Sequence, residues 1–363
     1  MKKRTFLLLV PLVLICIPVV LRIVLFDAYL MPTGSMEGTL LINDYLWVNK
    51  LAYKKNPTDT GTVQRRYNDW ACFGSVKRND IITFRYPCGD TILAENPEAD
   101  YYFTLRNEFG NDRQLLCSRY TVKYRTTNQE EIYIKRCVAL PGDKVEIRDA
   151  MLYINGQPAT AYPHQHLLYI VKTKGAGIPD DVINDNDIEV LRNDAVDNSA
   201  ILSLANDQVA MIKKLPQVVA VTPMVYPSGY TENGGTFPHD TTNFKWSRDN
   251  FGPLTIPKAG VTVQLTPQNI ALYRRVIVNY EGNRLIEREG TFVINGKQTN
   301  TYTFKMNYYW VLGDNRDNSM DSRYWGFVPV DHVMGRVSFV WYSYSRSDIR
   351  WGRMFHSISS LEQ

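Results

Sequence analysis

An apolar run from Phe6 to Phe26, broken once by Arg22 and preceded by Lys2, Lys3 and Arg4, opens the chain. Wound as a helix at about 1.5 Å per residue it spans roughly 31 Å, enough to cross a hydrocarbon core about 30 Å thick. Arg22 sits near the far end, where a long cation reaches the interface, and Pro11 and Pro18 are better tolerated in bilayer helices than in soluble ones. A cleaved secretory signal would need a small-x-small triplet after the run. The residues there, Asp27-Ala28-Tyr29-Leu30-Met31-Pro32, supply none. Residues 1–27 therefore read as an uncleaved anchor, a single transmembrane helix. Its cations precede it and Asp27, Glu37 and Asp44 follow, so the N-terminus is expected in the cytoplasm and the rest of the chain outside.

The remainder of the 363 residues suffices for two domains, or for one large β-domain with an insertion. The 23 Tyr and 14 Phe favour sheet. A net charge of +4 is far from a basic footprint, and neither a zinc-spaced Cys/His cluster nor a phosphate-cradling glycine loop is present. Nucleic acid, metal and cofactor are thus not expected. Cys72, Cys88, Cys117 and Cys137 allow three complete pairings in an exported domain, and free buried thiols are the alternative.

Strands are expected over 45–53 (YLWVNKLAY), 80–86 (DIITFRY) and 132–140 (IYIKRCVAL), the last running into a Pro141-Gly142-Asp143 turn. YINGQPATAY at 153–162 returns as VINGKQTNTY at 293–302, each with an Asn-Gly hairpin signal. These bracket a polar stretch, so 28–162 and 289–363 are expected to form one β domain and 163–288 an inserted α+β lobe. Within the lobe, Thr266-Pro267, an apolar periodicity and Gly282 predict a helix over 267–281.

Acyl transfer needs a nucleophile, a base that is neutral near working pH, and oxyanion donors. Three segments supply candidates. Met31-Pro32-Thr33-Gly34-Ser35-Met36-Glu37-Gly38-Thr39-Leu40 places Ser35 nine residues after Phe26, within about 30 Å of extended chain from a bilayer. Strand alternation in 132–140 puts Tyr133, Lys135 and Cys137 on one face. A lysine acts as a base only if burial lowers its pKa by roughly 3 units. The third segment, Gly313 to Pro329 (GDNRDNSMDSRYWGFVP), taken alone reads as a solvated turn.

In this order behind an apolar span, the three segments resemble the conserved boxes of bacterial type I signal peptidases, and DIITFRY resembles a fourth. The resemblance implies a mainly β, antiparallel catalytic domain in which Ser35 is the nucleophile and Lys135 the general base, with no cofactor or metal. It also implies that Thr33 assists the oxyanion with the Ser35 N–H and that Ser319 hydrogen-bonds the lysine. Arg136, Asp314, Asp321 and Arg323 would support the site, and Met31, Pro32, Met36, Leu40, Tyr133 and Ile134 would line pockets for small residues of exported preproteins. Two departures are visible: Glu37-Gly38 stands where a residue-proline pair is common, and Thr33 where serine is more usual.

Overall fold

The computed structural model describes residues 25–53, 74–125, 131–160, 162, 164–175, 177–231, 235–288, 290–345 and 348–362. Residues 1–24 of the expected anchor, Cys16 among them, and Cys72 lie outside these, whereas Phe26 and Asp27, expected at the end of the anchor, instead begin a strand and pair with Asn49 and Val48. Among the described residues no helix is long and apolar enough to cross a membrane. The described chain is mainly β, built from antiparallel sheets. Cys88, Cys117 and Cys137 are free thiols.

The largest sheet orders its strands Phe26–Leu30, Asp44–Asn49, Val333–Ser345, Ile81–Arg85, Ile132–Ala139, Tyr308–Leu312 and Val328–Pro329, with two short strands beside Val333–Ser345. The three strands expected from branched and aromatic runs thus lie within a residue or so at their starts, and the first ends earlier, at Asn49. Both faces of the sheet centre are covered, because successive side chains point to opposite sides. Ile81 and Ile134 join Met31, Met36, Leu40 and Val340 in one core, while Ile82, Phe84 and Cys137 join Tyr309, Val311 and Trp325 in another.

Lys144–Arg148, Met151–Ile154 and Gln157–Pro158 form a meander. Asn155 and Gly156 both take positive φ, as the Asn-Gly signal requires, and so do Asn295 and Gly296 in the second hairpin.

The 163–288 stretch contains two different kinds of structure. Leu167–Thr173, Glu189–Asp194, Ser199–Leu204 and Val218–Pro223 form their own four-stranded sheet with a separate core of Val171, Ile188, Leu202, Leu204 and Ile212. Phe251–Thr255 instead pairs with Lys144–Arg148, and Ile270 to Ile277 pack into the main core. The helix predicted over 267–281 is α from Ile270 to Arg275 and π from Val276 to Tyr280. Its entry is fixed by a reciprocal cap: Asn269 N–H donates to Thr266 Oγ1 at 3.3 Å, and Thr266 N–H to Asn269 Oδ1 at 2.8 Å. Gly282 follows at φ 65°.

Candidate active site

Ser35 sits in a single 3₁₀ turn, Gly34–Met36, directly after the first sheet strand. The turn packs by Met36, which is fully buried in the core below, and Leu40 is buried there too. Both therefore lie under the serine and do not line the cleft expected for substrate. Glu37 folds back over the turn: its carboxylate accepts from Asn315 Nδ2 at 3.2 Å, and a Cβ on Gly34 would lie 2.6 Å from Glu37 Oε2. Burial raises the Glu37 pKa, as does nearby Glu189, while the Asn315 bond opposes the rise.

Lys135 reaches Ser35 from the middle of the Ile132–Ala139 strand. Its Nζ donates to Ser35 Oγ at 2.8 Å and to the Ile134 carbonyl at 3.0 Å, and the residue is only 5% exposed. Tyr133 lies on the same strand face, with Nζ 5.5 Å from its ring centroid. Burial pushes the Lys135 pKa down to about 8, against the upward pull of the Asp321 and Asp314 carboxylates. Thr33 Oγ1 lies 3.4 Å from Ser35 Oγ.

The Gly313 to Pro329 segment closes the other side, and far from being a solvated turn it is largely buried. Gly313 is needed where it stands: a Cβ would lie 2.3 Å from Ser319 Oγ and 2.4 Å from the Ser35 carbonyl. The Asn315 N–H donates to that same carbonyl at 3.2 Å. Asp321 holds Arg323 through two bonds of 2.9 Å and accepts from Gly313 N–H at 3.1 Å. Asp314 receives Arg136 Nε at 2.8 Å and Nη2 at 2.6 Å, a bidentate pair almost wholly out of water. Arg136 also donates to Asn79 O and Thr39 Oγ1, so one guanidinium joins the lysine strand to the serine loop and the 313–329 segment. Ser319 Oγ is buried and has no hydrogen-bond partner among the described residues, so the bond to Lys135 implied by the resemblance is not formed here.

Ser35, Lys135, Thr33 and Ser319 open onto a cleft of about 1020 Å³. Of the residues read as lining substrate pockets, Met31, Pro32, Tyr133 and Ile134 border this cleft. The sequence reading missed a further wall of Tyr226, Tyr230, Thr231 and Arg248, contributed by the 163–288 stretch. Tyr226 and Tyr230 stack at 4.4 Å, the Arg248 guanidinium lies 4.3 Å over Tyr226, and Arg248 pairs with buried Asp317 at 3.2 Å. The only trace of this in sequence is an aromatic at each end of the Tyr226-Pro227-Ser228-Gly229-Tyr230 turn.

A family model described as signal peptidase, peptidase S26, matches residues 2–213 and 278–342, well over half of the chain. Among curated relatives, "Signal peptidase I" of Buchnera aphidicola subsp. Baizongia pistaciae is 22% identical over 94% of this chain and 78% of its own length. "Signal peptidase I" of Haemophilus influenzae is 24% identical over 91% and 67%. That of Aquifex aeolicus is 58% identical over a 36-residue segment, 10% of this chain and 14% of its own length. With a buried Ser–Lys contact at the base of a peptide-sized cleft, the chain belongs to the signal peptidase family, peptidase S26, and is a serine peptidase of the signal peptidase I kind.

Proposed function

We propose that the chain removes signal peptides from exported preproteins with a Ser35/Lys135 dyad, cutting after small residues of the Ala-x-Ala type. The observation that carries this reading is the 2.8 Å bond between Lys135 Nζ and Ser35 Oγ in a site where the lysine is 5% exposed. Neutral Lys135 accepts the Ser35 proton as Oγ attacks the scissile carbonyl, then gives a proton to the leaving amine. Water, activated by the same base, hydrolyses the acyl-enzyme. The Ser35 N–H and the Thr33 hydroxyl are assigned to the oxyanion. Ser319, unpaired in the resting site, is assigned to orient Lys135 during turnover, and Arg136, Asp314, Asp321 and Arg323 to hold the loops in register.

Met31, Tyr133 and Ile134 are bulky walls that leave room for methyl-sized side chains. Apolar contact discriminates by only about 1–3 kcal/mol per methylene, so selection rests on steric exclusion at two positions together. The segment before Phe26 is assigned to an anchor in the cytoplasmic membrane with the N-terminus inside, which keeps Ser35 near substrates that are themselves still in the bilayer. Residues 28–162 and 289–363 are assigned to the catalytic domain together with the part of 163–288 that follows Pro223, and the small four-stranded sheet from Leu167 to Pro223 is assigned to the insertion. Mass-spectrometric mapping of cleavage sites on a preprotein panel, run beside Ser35→Ala, tests the reading. Ser35-dependent cuts after small residues are expected, and products that persist in Ser35→Ala refute the dyad. Protease added to spheroplasts should digest the large domain if the orientation is right.

A further inference from the structure

Beyond the serine cleft lies a second one of about 700 Å³. Met320 and Tyr324 border both, so the two adjoin. An aromatic wall also joins them: Tyr133 lines the first and Tyr86 the second, and their rings stack at 4.6 Å with Trp325 edge-on to each. Phe103, Phe237 and Val278 give the second cleft an apolar character.

Its charges are unevenly matched. Arg274 is held by Glu287 through bonds of 2.6 and 2.9 Å, and Arg275 by Asp90 at 3.2 Å. Asp100 is occupied by the Tyr86 hydroxyl at 2.6 Å and by the Phe103 N–H at 2.7 Å, the latter as a helix cap. Arg106, on the same helix, Tyr101–Asn107, has a fully buried Nε with no hydrogen-bond partner. A guanidinium stays charged at any working pH, and a partly buried one with an unsatisfied N–H is costly even with the Asp100 carboxylate nearby. An anion entering the cleft would relieve that cost.

We propose that the second cleft receives another stretch of the polypeptide being cut, and that Arg106 selects an acidic side chain there beside an apolar one. This deepens the reading of the first cleft and rests on it. A polypeptide is the occupant favoured by this adjacency, because a chain lying across Ser35 and past Met320 and Tyr324, which border both clefts, reaches the second one.

The test uses the full-length enzyme in detergent and paired peptides containing an Ala-x-Ala cut site. Each pair differs by Asp against Asn at one position, scanned outward on both sides of the cut next to a Leu. At one or two neighbouring positions Asp is expected to raise kcat/KM about tenfold over Asn, the scale of a hydrogen bond to a charged group. That ratio cancels the active fraction, so it remains readable in imperfectly folded variants. It should fall to about one in Arg106→Gln, persist in Arg106→Lys and favour a Lys-containing peptide in Arg106→Glu. Equal rates for Asp and Asn at every position, or a preference unchanged in Arg106→Gln, overturns the proposal. Absence of cleavage of any peptide would instead refute the first-cleft reading.

Discussion

Lys135 Nζ is positioned by two acceptors at once, Ser35 Oγ at 2.8 Å and the Ile134 carbonyl at 3.0 Å, so its remaining freedom lies toward the cleft. Lys135→Arg preserves the charge, but guanidinium cannot act as a base. Its kcat should fall by roughly 10³ or more, as far as in Lys135→Ala, on the pattern of coupled catalytic groups. Near-parental turnover in a folded Lys135→Arg variant would remove the lysine from the chemistry.

The depressed lysine pKa gives two separate pH signatures. Activity first: kcat/KM should rise with pH through about 8, as Lys135 deprotonates in the free enzyme. Stability second: between about 8 and the ordinary 10.5 the unfolded chain binds a proton that the folded chain does not, so folding gains with rising pH across that window. Below it the folded protein carries the whole penalty, on the order of 3 kcal/mol. Urea unfolding should therefore find Lys135→Met more stable than the parent at pH 7, with the gap closing as pH approaches 10. A gap independent of pH would mean that the lysine is not desolvated.

Asp314→Asn leaves Arg136 buried with its bidentate partner gone. Breaking such a pair typically costs about 3–5 kcal/mol, because one charge remains uncompensated. Denaturant unfolding should show a loss of that order. A change below about 1 kcal/mol would mean that the Asn79, Thr39 and Glu362 contacts suffice for Arg136.

Gly313→Ala tests the close approach of the two loops. The added methyl would push on both Ser319 and the Ser35 carbonyl, displacing Ser35 more than the core. A displacement near 1 Å is expected to lower kcat by about 10²-fold. Thermal unfolding should change much less than activity, and full activity would show that the contact is easily relaxed.

The Met224 N–H donates to the Leu168 carbonyl at 2.8 Å, so a linker of a few Gly and Ser residues can replace Tyr169 to Pro223 without moving the ends. This variant should retain peptide cleavage. Removing all of 163–288 should not, since it also removes Phe251–Thr255 from its pairing with Lys144–Arg148 and Arg248 from the cleft. An inert but folded short deletion would assign the small sheet a part in the active site.

What was readable in sequence was local. The strands over 80–86 and 132–140 have runs of branched and aromatic residues with Pro at their ends, and Asn-Gly pairs admit few turns. Ser35 and Lys135 were legible because their neighbouring residues resemble a family, whereas their 2.8 Å contact depends on pairing between distant strands. The division of 163–288 was hidden for the same reason: nothing in FGPLT announces that its partner is a strand about a hundred residues earlier. The burial of 313–323 was misleading locally, since a run of Asn, Asp and Arg is solvated unless its charges find one another, as Arg136 and Asp314 do.

The strand order of the main sheet also bears on how the enzyme comes to life during synthesis. Val333–Ser345 stands between the strands on the serine side, Phe26–Leu30 and Asp44–Asn49, and those on the lysine side, Ile81–Arg85 and Ile132–Ala139. Ser35 and Lys135 both precede this strand in the chain, yet it is the piece that seats their two halves side by side. On the proposed Ser35/Lys135 chemistry, a nascent chain stays silent until Val333–Ser345 has been made and has taken its place between the two halves.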